Sequence, residues 1–370
     1  MVTDAYRCYE GTTVSDRKGA MDSLGALSAR FREFAERECH GASPLYEALC
    51  LGLAEDAELL EFMLDAPETQ RRPNLILAVL HDLTLTGAPE LAPYIIGGTS
   101  PEDRDPVPGM RELMMRNRSR IRAALNTHIT QTNEPGRSAA LIPALNTVAK
   151  QHGSLALLEV GASAGLNLLY DRYTYYYADT KLGADSGCVV PVEQLGAMPP
   201  VHEFPDVPWR VGLDTAPIDL RQPEQARWLL ACVWPDHVER LHRLRAAISI
   251  AATDPAPPVL RHGGAIESVL RFGQDAPEDL HLCVWHSWAA CYLDEDDQRL
   301  FTEQLLELSR IRPITWLTME RAPEVPALPL PPGPTTDSTV AMIELAGGEV
   351  VVSRLLADAH SHLQWLDWKA

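Results

Sequence analysis

The apolar positions of the N-terminal part of the chain recur at intervals of three and four, which is the spacing of amphipathic helices. In SPLYEALCLGLAEDAELLEFMLDA this spacing places Leu45, Leu49 and Leu53 on one helical face. Ser43 stands directly before a proline at the start of this segment, an order typical of a helix N-terminus. We therefore predict an all-helical domain over residues 23–150.

After Gly153 the pattern changes to short apolar runs that are separated by segments of helical spacing. A continuous apolar run of this length is typical of a strand that is buried on both faces. Five such runs follow one another: LALLEV (155–160), WRVGLD (209–214), PPVLRH (257–262), LHLCVWHS (280–287) and ITWLTM (314–319). The alternation predicts a parallel sheet with helices on both faces.

The C-terminal segment has a different pattern, because EVPALPLPPGPTTDS (324–338) is a proline-rich connector without helical spacing. The runs TVAMIEL and EVVVSRLL then flank Ala346-Gly347-Gly348, which predicts an antiparallel hairpin. Five parallel strands and a hairpin match the seven-stranded sheet of class I S-adenosylmethionine-dependent methyltransferases, whose last strand inserts antiparallel. The predicted fold class is α/β, with a Rossmann-like, mostly parallel seven-stranded sheet over residues 151–370 and an insertion at about 173–208.

Composition narrows the classes of partner. The chain has 51 acidic and 32 basic residues and a formal net charge of −19, a balance that repels nucleic acid. No apolar run has the length of a membrane span, and residues 1–22, which we expect to be loosely ordered, contain no signal-peptide core. The seven cysteines are scattered, which favours reduced thiols. We expect a soluble cytoplasmic protein that acts on a small molecule.

The segment LLEVGASAGLNLL at the end of the first predicted strand is compatible with two chemistries. Its pentapeptide around Ser163 is a G-x-S-x-G sequence, which in hydrolases places a nucleophilic serine on a sharp turn. Asp214 with His360 or His362 would complete a serine hydrolase triad in that order. The helical pattern upstream and the missing oxyanion-hole segment speak against this interpretation.

The second interpretation is a glycine-rich turn that lets the backbone approach a nucleoside cofactor and offers it unpaired N–H groups. An acid at the end of the second strand, here Asp214, then accepts hydrogen bonds from the ribose diol. This interpretation predicts S-adenosylmethionine as the cofactor. The predicted cofactor-binding residues are Glu159, Gly161, Ala162, Ser163, Gly165, Asn167, Asp214 and Thr215.

Several motifs together resemble an uncharacterised bacterial family, domain of unknown function 2332, from about Ser43 to the C-terminus. They are QTNEPGR (131–137), EVGASAGLNLL (159–169), VGLDTAPIDL (211–220), VWPDHVERLHRLRAAI (233–248) and AHSHLQWLDW (359–368). The resemblance implies relatives but no activity. The resemblance also implies Gly-Asp-Ala after the third strand, where this chain has Gly263-Gly264-Ala265. The chain thus lacks an acid that, by the same resemblance, typically contacts adenine in methyltransferases.

Polar residues just before the first strand and after the fourth could act on a ligand. Glu134 and His286 are candidates for proton transfer, because a carboxylate and a histidine at a sheet edge suit general acid–base chemistry. A substrate or cofactor clamp is predicted from Gln131, Thr132, Asn133, Arg137 and Ser287. The alternatives are that this loop caps a helix and that the histidine is hydrogen-bonded within the sheet.

Two further features stay open. His360-x-His362 permits a metal site, but without nearby cysteine or carboxylate ligands we predict no metal. YTYYY (173–177) is compatible with an aromatic substrate platform and with an inserted strand. The predicted activity is methyl transfer from S-adenosylmethionine to a small-molecule acceptor; the rivals are a serine hydrolase that uses Ser163 and a non-catalytic binding module.

Overall fold

The computed structural model describes residues 24–334 and 337–370, so the predicted loose N-terminus lies outside the described residues. The chain divides into two compact units, of which the first comprises residues up to 132 and residues 222–241. The second unit comprises residues 133–221 and 242–370. In this division the helix over residues 138–152, which precedes the first strand, belongs to the unit that contains the sheet.

The described residues contain twelve α-helices, joined in places by short 3₁₀ turns. In chain order they are α1 (Leu24–Phe34), α2 (Pro44–Glu55), α3 (Ala57–Leu60), α4 (Pro73–Leu85), α5 (Ala92–Ile95), α6 (Val107–Arg116), α7 (Arg118–Thr127), α8 (Ser138–His152), α9 (Pro223–Ala231), α10 (Val238–Thr253), α11 (Ala265–Gln274) and α12 (Glu295–Ile311). No helix among the described residues is long and apolar enough to cross a membrane.

The first unit is helical throughout its described part. The predicted start of α2 is confirmed, because the Ser43 hydroxyl accepts a hydrogen bond from the Tyr46 amide at 3.1 Å and Pro44 is the first helical residue. Leu45, Leu49 and Leu53 are buried in one apolar cluster, as the spacing predicted. The burial of one face of each helix stabilises this unit.

The described residues also contain eleven strands. In chain order they are β1 (Leu155–Val160), β2 (Thr174–Tyr177), β3 (Thr180–Leu182), β4 (Val189–Gly196), β5 (Trp209–Asp214), β6 (Val259–His262), β7 (His281–Ser287), β8 (Ile314–Glu320), β9 (Ser338–Ala346), β10 (Glu349–Ala359) and β11 (Trp365–Trp368).

The five predicted parallel strands form the part of the sheet that matters for the candidate site. They lie in the order β6-β5-β1-β7-β8, and each neighbouring pair is parallel. From β1 the chain proceeds to β5 and β6 on one side, and then to β7 and β8 on the other. The carboxyl ends of β1 and β7 therefore flank a topological switch point, where open α/β sheets bind ligands.

The prediction of seven strands is wrong, because the sheet contains eleven. The predicted insertion contributes β2, β3 and β4, and the C-terminal β11 pairs with both β10 and β4. These four strands extend the sheet beyond β10. Three of them have only three or four residues, a length at which hydrophobic alternation gives little signal.

The predicted hairpin is present, but its position differs from the methyltransferase arrangement. β9, which comes first along the chain, pairs antiparallel with β8, and β10 lies outside it. The last strand therefore does not insert next to the fifth parallel strand. The connector after β8 has no α-helix among its described residues, and without a crossover helix the next strand returns antiparallel.

Side chains of the parallel strands point alternately to the two faces of the sheet. Val160, Leu213 and Val284 lie on one face, in an apolar cluster with Phe301 of α12. Glu159 and Gly212 are register partners, so they share the opposite face. This alternation decides which polar groups at the sheet edge can meet.

Gly212 of β5 has no room for a side chain, because a Cβ there would lie 2.6 Å from Leu260 Cδ2 and 2.7 Å from Ala162 Cβ. We expect Gly212→Ala to lower the free energy of unfolding by about 1–3 kcal/mol through overpacking. Urea denaturation measures the change. Gly187→Ala is the control, since its Cβ would lie 3.8 Å from Ala246 Cβ, an ordinary contact. Equal stability of the two variants would contradict the expectation.

Candidate ligand site at the glycine turn

The glycine turn between β1 and the next element has the left-handed backbone that its sequence suggests. Gly161 and Gly165 have φ angles of 74° and 71°, a region that glycine adopts without strain. Ser163 lies between them with a φ of 52°, which is unusual for a residue with a side chain. A Cβ on Gly161 would lie 2.6 Å from Ala289 Cβ, so the loop after β7 packs directly on the turn.

The turn is followed by a seven-residue 3₁₀ segment, Leu166–Arg172, with a kink at Leu169. A segment this short has no substantial macrodipole to offer a ligand. The positive end of a long helix is therefore not present at this turn.

The amide groups of the turn are all engaged inside the protein. Gly161 and Ala162 donate to the Leu213 carbonyl oxygen, and Gly165 donates to the Ala162 carbonyl oxygen. The amides of Ser163, Ala164 and Leu166 donate to side chains. The unpaired N–H donors that the sequence interpretation required are therefore not available.

Asp214 and Asn133 are the side chains that close the turn. Asp214 Oδ2 accepts from the Ser163 amide at 2.7 Å, and Asp214 Oδ1 accepts from the Ala216 amide at 2.8 Å. Asn133 Oδ1 accepts from the Ala164 and Leu166 amides at 3.2 and 3.0 Å. Two residues predicted to hold a ligand thus stabilise the local backbone.

Beside the turn lies a buried carboxyl–amide pair. Asn167 Nδ2 donates to Glu159 Oε1 at 3.0 Å, and both side chains are 2% exposed. The other oxygen of each group, Glu159 Oε2 and Asn167 Oδ1, has no hydrogen-bond partner among the described residues. Burial raises the pKa of Glu159 to about 8; the Asn167 hydrogen bond opposes this shift.

His286 and Glu320 form a second buried pair, on the other face of the sheet. His286 pairs in register with Val160, so its side chain points away from the face of Glu159. His286 Nδ1 lies 2.7 Å from Glu320 Oε1, and the two side chains are 1% and 0% exposed. The structure therefore does not bring His286 together with Glu159 and Asp214.

Glu320 has a positioning role that the sequence did not reveal. Its Oε1 also accepts from the amides of Ala289 and Ala290, at 2.9 and 3.1 Å. The carboxylate thereby holds the loop that packs on Gly161. An acid at the end of the fifth strand was visible in the sequence, but nothing local identified the amides it binds.

The predicted clamp residues are divided between the two units. Gln131 and Thr132 belong to the first unit, and Asn133, Arg137 and Ser287 to the second. The buried Arg137 guanidinium donates to the carbonyl oxygens of Ser287 and Ser361, at 3.1 and 3.0 Å. Arg137 therefore tethers two loops, and Ser287 contributes its carbonyl group.

Glu134 caps the 3₁₀ turn that precedes α8. Its Oε1 accepts from the Gly136 amide at 3.0 Å and from Arg243 Nε at 3.0 Å. Glu134 therefore has the capping arrangement of the alternative interpretation, whereas Asn133 accepts from amides of the glycine turn and α8 has no side-chain cap. The partner Arg243 lies more than a hundred residues away, so no sequence spacing could have indicated it.

Thr215, the last of the predicted cofactor residues, is exposed just after β5. The YTYYY segment is the inserted strand β2, not an exposed platform: Tyr175 and Tyr177 are fully buried, and their hydroxyl groups donate to main-chain carbonyls. No group of three or more potential metal ligands occurs within residues 24–334 and 337–370.

Comparison with known proteins identifies the family. The family model described as an uncharacterized protein conserved in bacteria, DUF2332, matches residues 28–368, nearly the whole chain. The chain belongs to the DUF2332 family. Searches of curated proteins and of solved structures gave no match. The resemblance noted in the sequence is confirmed for the family, which carries no described activity.

The hydrogen bonds that occupy the turn amides also bear on the hydrolase interpretation of this DUF2332 chain. The positive φ of Ser163 suits a nucleophile elbow. However, the amide of Ala164, which would form the oxyanion hole, donates to Asn133 Oδ1. Both oxygens of Asp214 accept main-chain amides, so this carboxylate supports the turn.

The buried Glu159 should make the stability of the protein fall as pH rises. In the unfolded chain its pKa is 4.5, and in the folded chain about 8, so between these values only the folded state keeps the proton. We expect Glu159→Gln to be more stable to unfolding than the wild type. The difference in unfolding free energy should increase by about 2–4 kcal/mol between pH 5 and pH 8. Urea denaturation across this pH range measures it.

The exposed Glu193 of β4 provides the matched control. Glu193→Gln should follow the wild-type dependence on pH throughout, since this side chain is in water. Parallel curves for wild type and Glu159→Gln would show that Glu159 does not carry the effect.

Proposed function

We propose that the second unit of this DUF2332 chain binds S-adenosylmethionine and transfers its methyl group to a small-molecule acceptor. The observation that carries the proposal is the buried pair of oxygens, Glu159 Oε2 and Asn167 Oδ1, which lack donors among the described residues. A buried polar oxygen without a hydrogen-bond partner is unfavourable, and the position of this pair at a sheet edge suggests that a ligand supplies the partner. The ammonium group of the methionine part has three N–H donors for these oxygens.

The position of this pair supports the proposal. Glu159 lies near the carboxyl end of β1, and β1 adjoins both β5 and β7 at the switch point of the sheet. Ligands of open α/β sheets bind in the crevice outside these strand ends. The parallel order β6-β5-β1-β7-β8 is the one that the methyltransferase interpretation requires.

Asp214 would hold the ribose. Each of its oxygens accepts one main-chain amide, and a carboxylate oxygen has a second lone pair for a further donor. The side chain is partly exposed at the end of β5, so the ribose diol can reach it. The same carboxylate would then fix both the turn and the ligand.

The main chain of the turn has no part in the proposal. Its amides are engaged, and a Cβ at Gly165 would lie 2.9 Å from Leu260 Cδ2 and 3.0 Å from Pro258 Cβ, so side chains fill the space beside it. The ligand would be held by side chains at the strand ends. This differs from the backbone-based mode that the sequence suggested.

The bound cofactor would supply an electrophilic methyl group on its sulfonium. The chain's contribution would be orientation: Glu159 and Asn167 fix the ammonium end and Asp214 the ribose, which aligns the sulfonium with an acceptor. His286 faces the other side of the sheet and Glu134 is bound to Arg243, so neither residue takes part in the proposed transfer.

Calorimetric titration of the full chain with S-adenosylmethionine and S-adenosylhomocysteine tests the proposal. We expect micromolar binding that Glu159→Gln weakens by about tenfold or more, because a charge-assisted hydrogen bond to the ammonium is lost. The control Glu193→Gln should bind like the wild type. Thermal denaturation verifies that both variants are folded.

If neither S-adenosylmethionine nor S-adenosylhomocysteine binds, the proposal is overturned. If Ser163 is then labelled by a fluorophosphonate, and Ser163→Ala is not, the protein is a hydrolase. If neither assay responds, a binding module with a different ligand is the conclusion.

A further inference from the structure

Resting on the proposed function, we propose that Glu159 selects ligands that carry an ammonium group and exchanges a proton for them. In the ligand-free chain the carboxyl group is protonated, and when an ammonium group binds at Oε2 the proton passes to solvent. Charge in the buried site is thus balanced in both states. The pair Glu159–Asn167 would then determine specificity as well as affinity.

The surroundings of Glu159 carry the argument. The side chain is buried in the centre of the sheet, with Gly212 of β5 and Trp285 of β7 as its uncharged register partners. Its one hydrogen-bond donor among the described residues is the neutral amide of Asn167. A carboxylate in such a place is unfavourable until a cation arrives.

The charged groups that face Glu159 come from two neighbouring segments. Asp214, at the end of β5, disfavours a second negative charge, and Arg137, in the segment before α8, favours it. Burial is the largest influence and raises the pKa of Glu159 to about 8, so at pH 7 the ligand-free group holds its proton.

The proton balance follows directly. A neutral carboxyl group and a ligand ammonium become a carboxylate–ammonium pair and one hydrated proton. A ligand without an amino group cannot stabilise the carboxylate, so it should leave the proton in place. Discrimination then depends on the ligand's charge at this one position.

Calorimetry at pH 7 in buffers of different ionisation enthalpy, such as phosphate and Tris, counts the protons released. We expect S-adenosylhomocysteine to release about one proton per site through this linkage. 5′-Methylthioadenosine, which has the same nucleoside and no amino acid, should bind more weakly and release none. The exposed-site control Glu193→Gln should release as many protons as the wild type.

The variant Glu159→Gln tests whether the released proton comes from Glu159 and not from another group of the protein. The variant should bind S-adenosylhomocysteine more weakly and without proton release. Binding of S-adenosylhomocysteine to the wild type without proton release, or release that persists in Glu159→Gln, would overturn the inference and leave the proposed function standing. Absence of S-adenosylhomocysteine binding would instead overturn the proposed function.

Discussion

The closure of the glycine turn by Asp214 and Asn133 is the constraint on which the site depends. The turn leaves β1 with a left-handed residue at Ser163, and such a backbone persists only where surrounding bonds fix it. Asp214 and Asn133 provide these bonds from β5 and from the segment before α8. The same bonds consume the amides that would otherwise bind a ligand, so the site must work through side chains.

The two faces of the sheet differ in what their buried carboxyl groups bind. On the face of Glu159, the carboxyl group contacts only the neutral amide of Asn167, whereas on the face of His286 the Glu320 carboxylate also holds the loop that packs on Gly161. Each face has buried polar atoms without a partner among the described residues. Glu320 thus supports a loop through main-chain amides, whereas Glu159 accepts from no main-chain amide among the described residues. Alternation along β1 and β7 keeps them apart, because adjacent residues of a strand point to opposite faces.

The sequence predicted the strands of the parallel sheet nearly to the residue, because runs such as LALLEV are buried on both faces and their signal is local. It missed β2 to β4 as part of the sheet and β11 entirely. The short β11 joins this part of the sheet by pairing with β4, a strand far away along the chain, and no local pattern indicates such a pairing. The sequence also did not reveal which side chains accept hydrogen bonds from the amides of the turn. Asn133 and Asp214 were recognised as important polar residues, but their partners are main-chain groups, which leave no pattern in a sequence.

Glu159 shows why an unfavourable residue can be informative. A leucine at this strand position would pack against Trp285 and Gly212 without the desolvation of a carboxyl group, and most of β1 is of this apolar kind. A group that destabilises the fold as pH rises is one whose benefit must come from elsewhere, since local rules of packing are most often broken at functional sites. The neutral partner Asn167 supports this view: it orients the carboxyl group without neutralising it, and so preserves the demand for a cation that a ligand can meet.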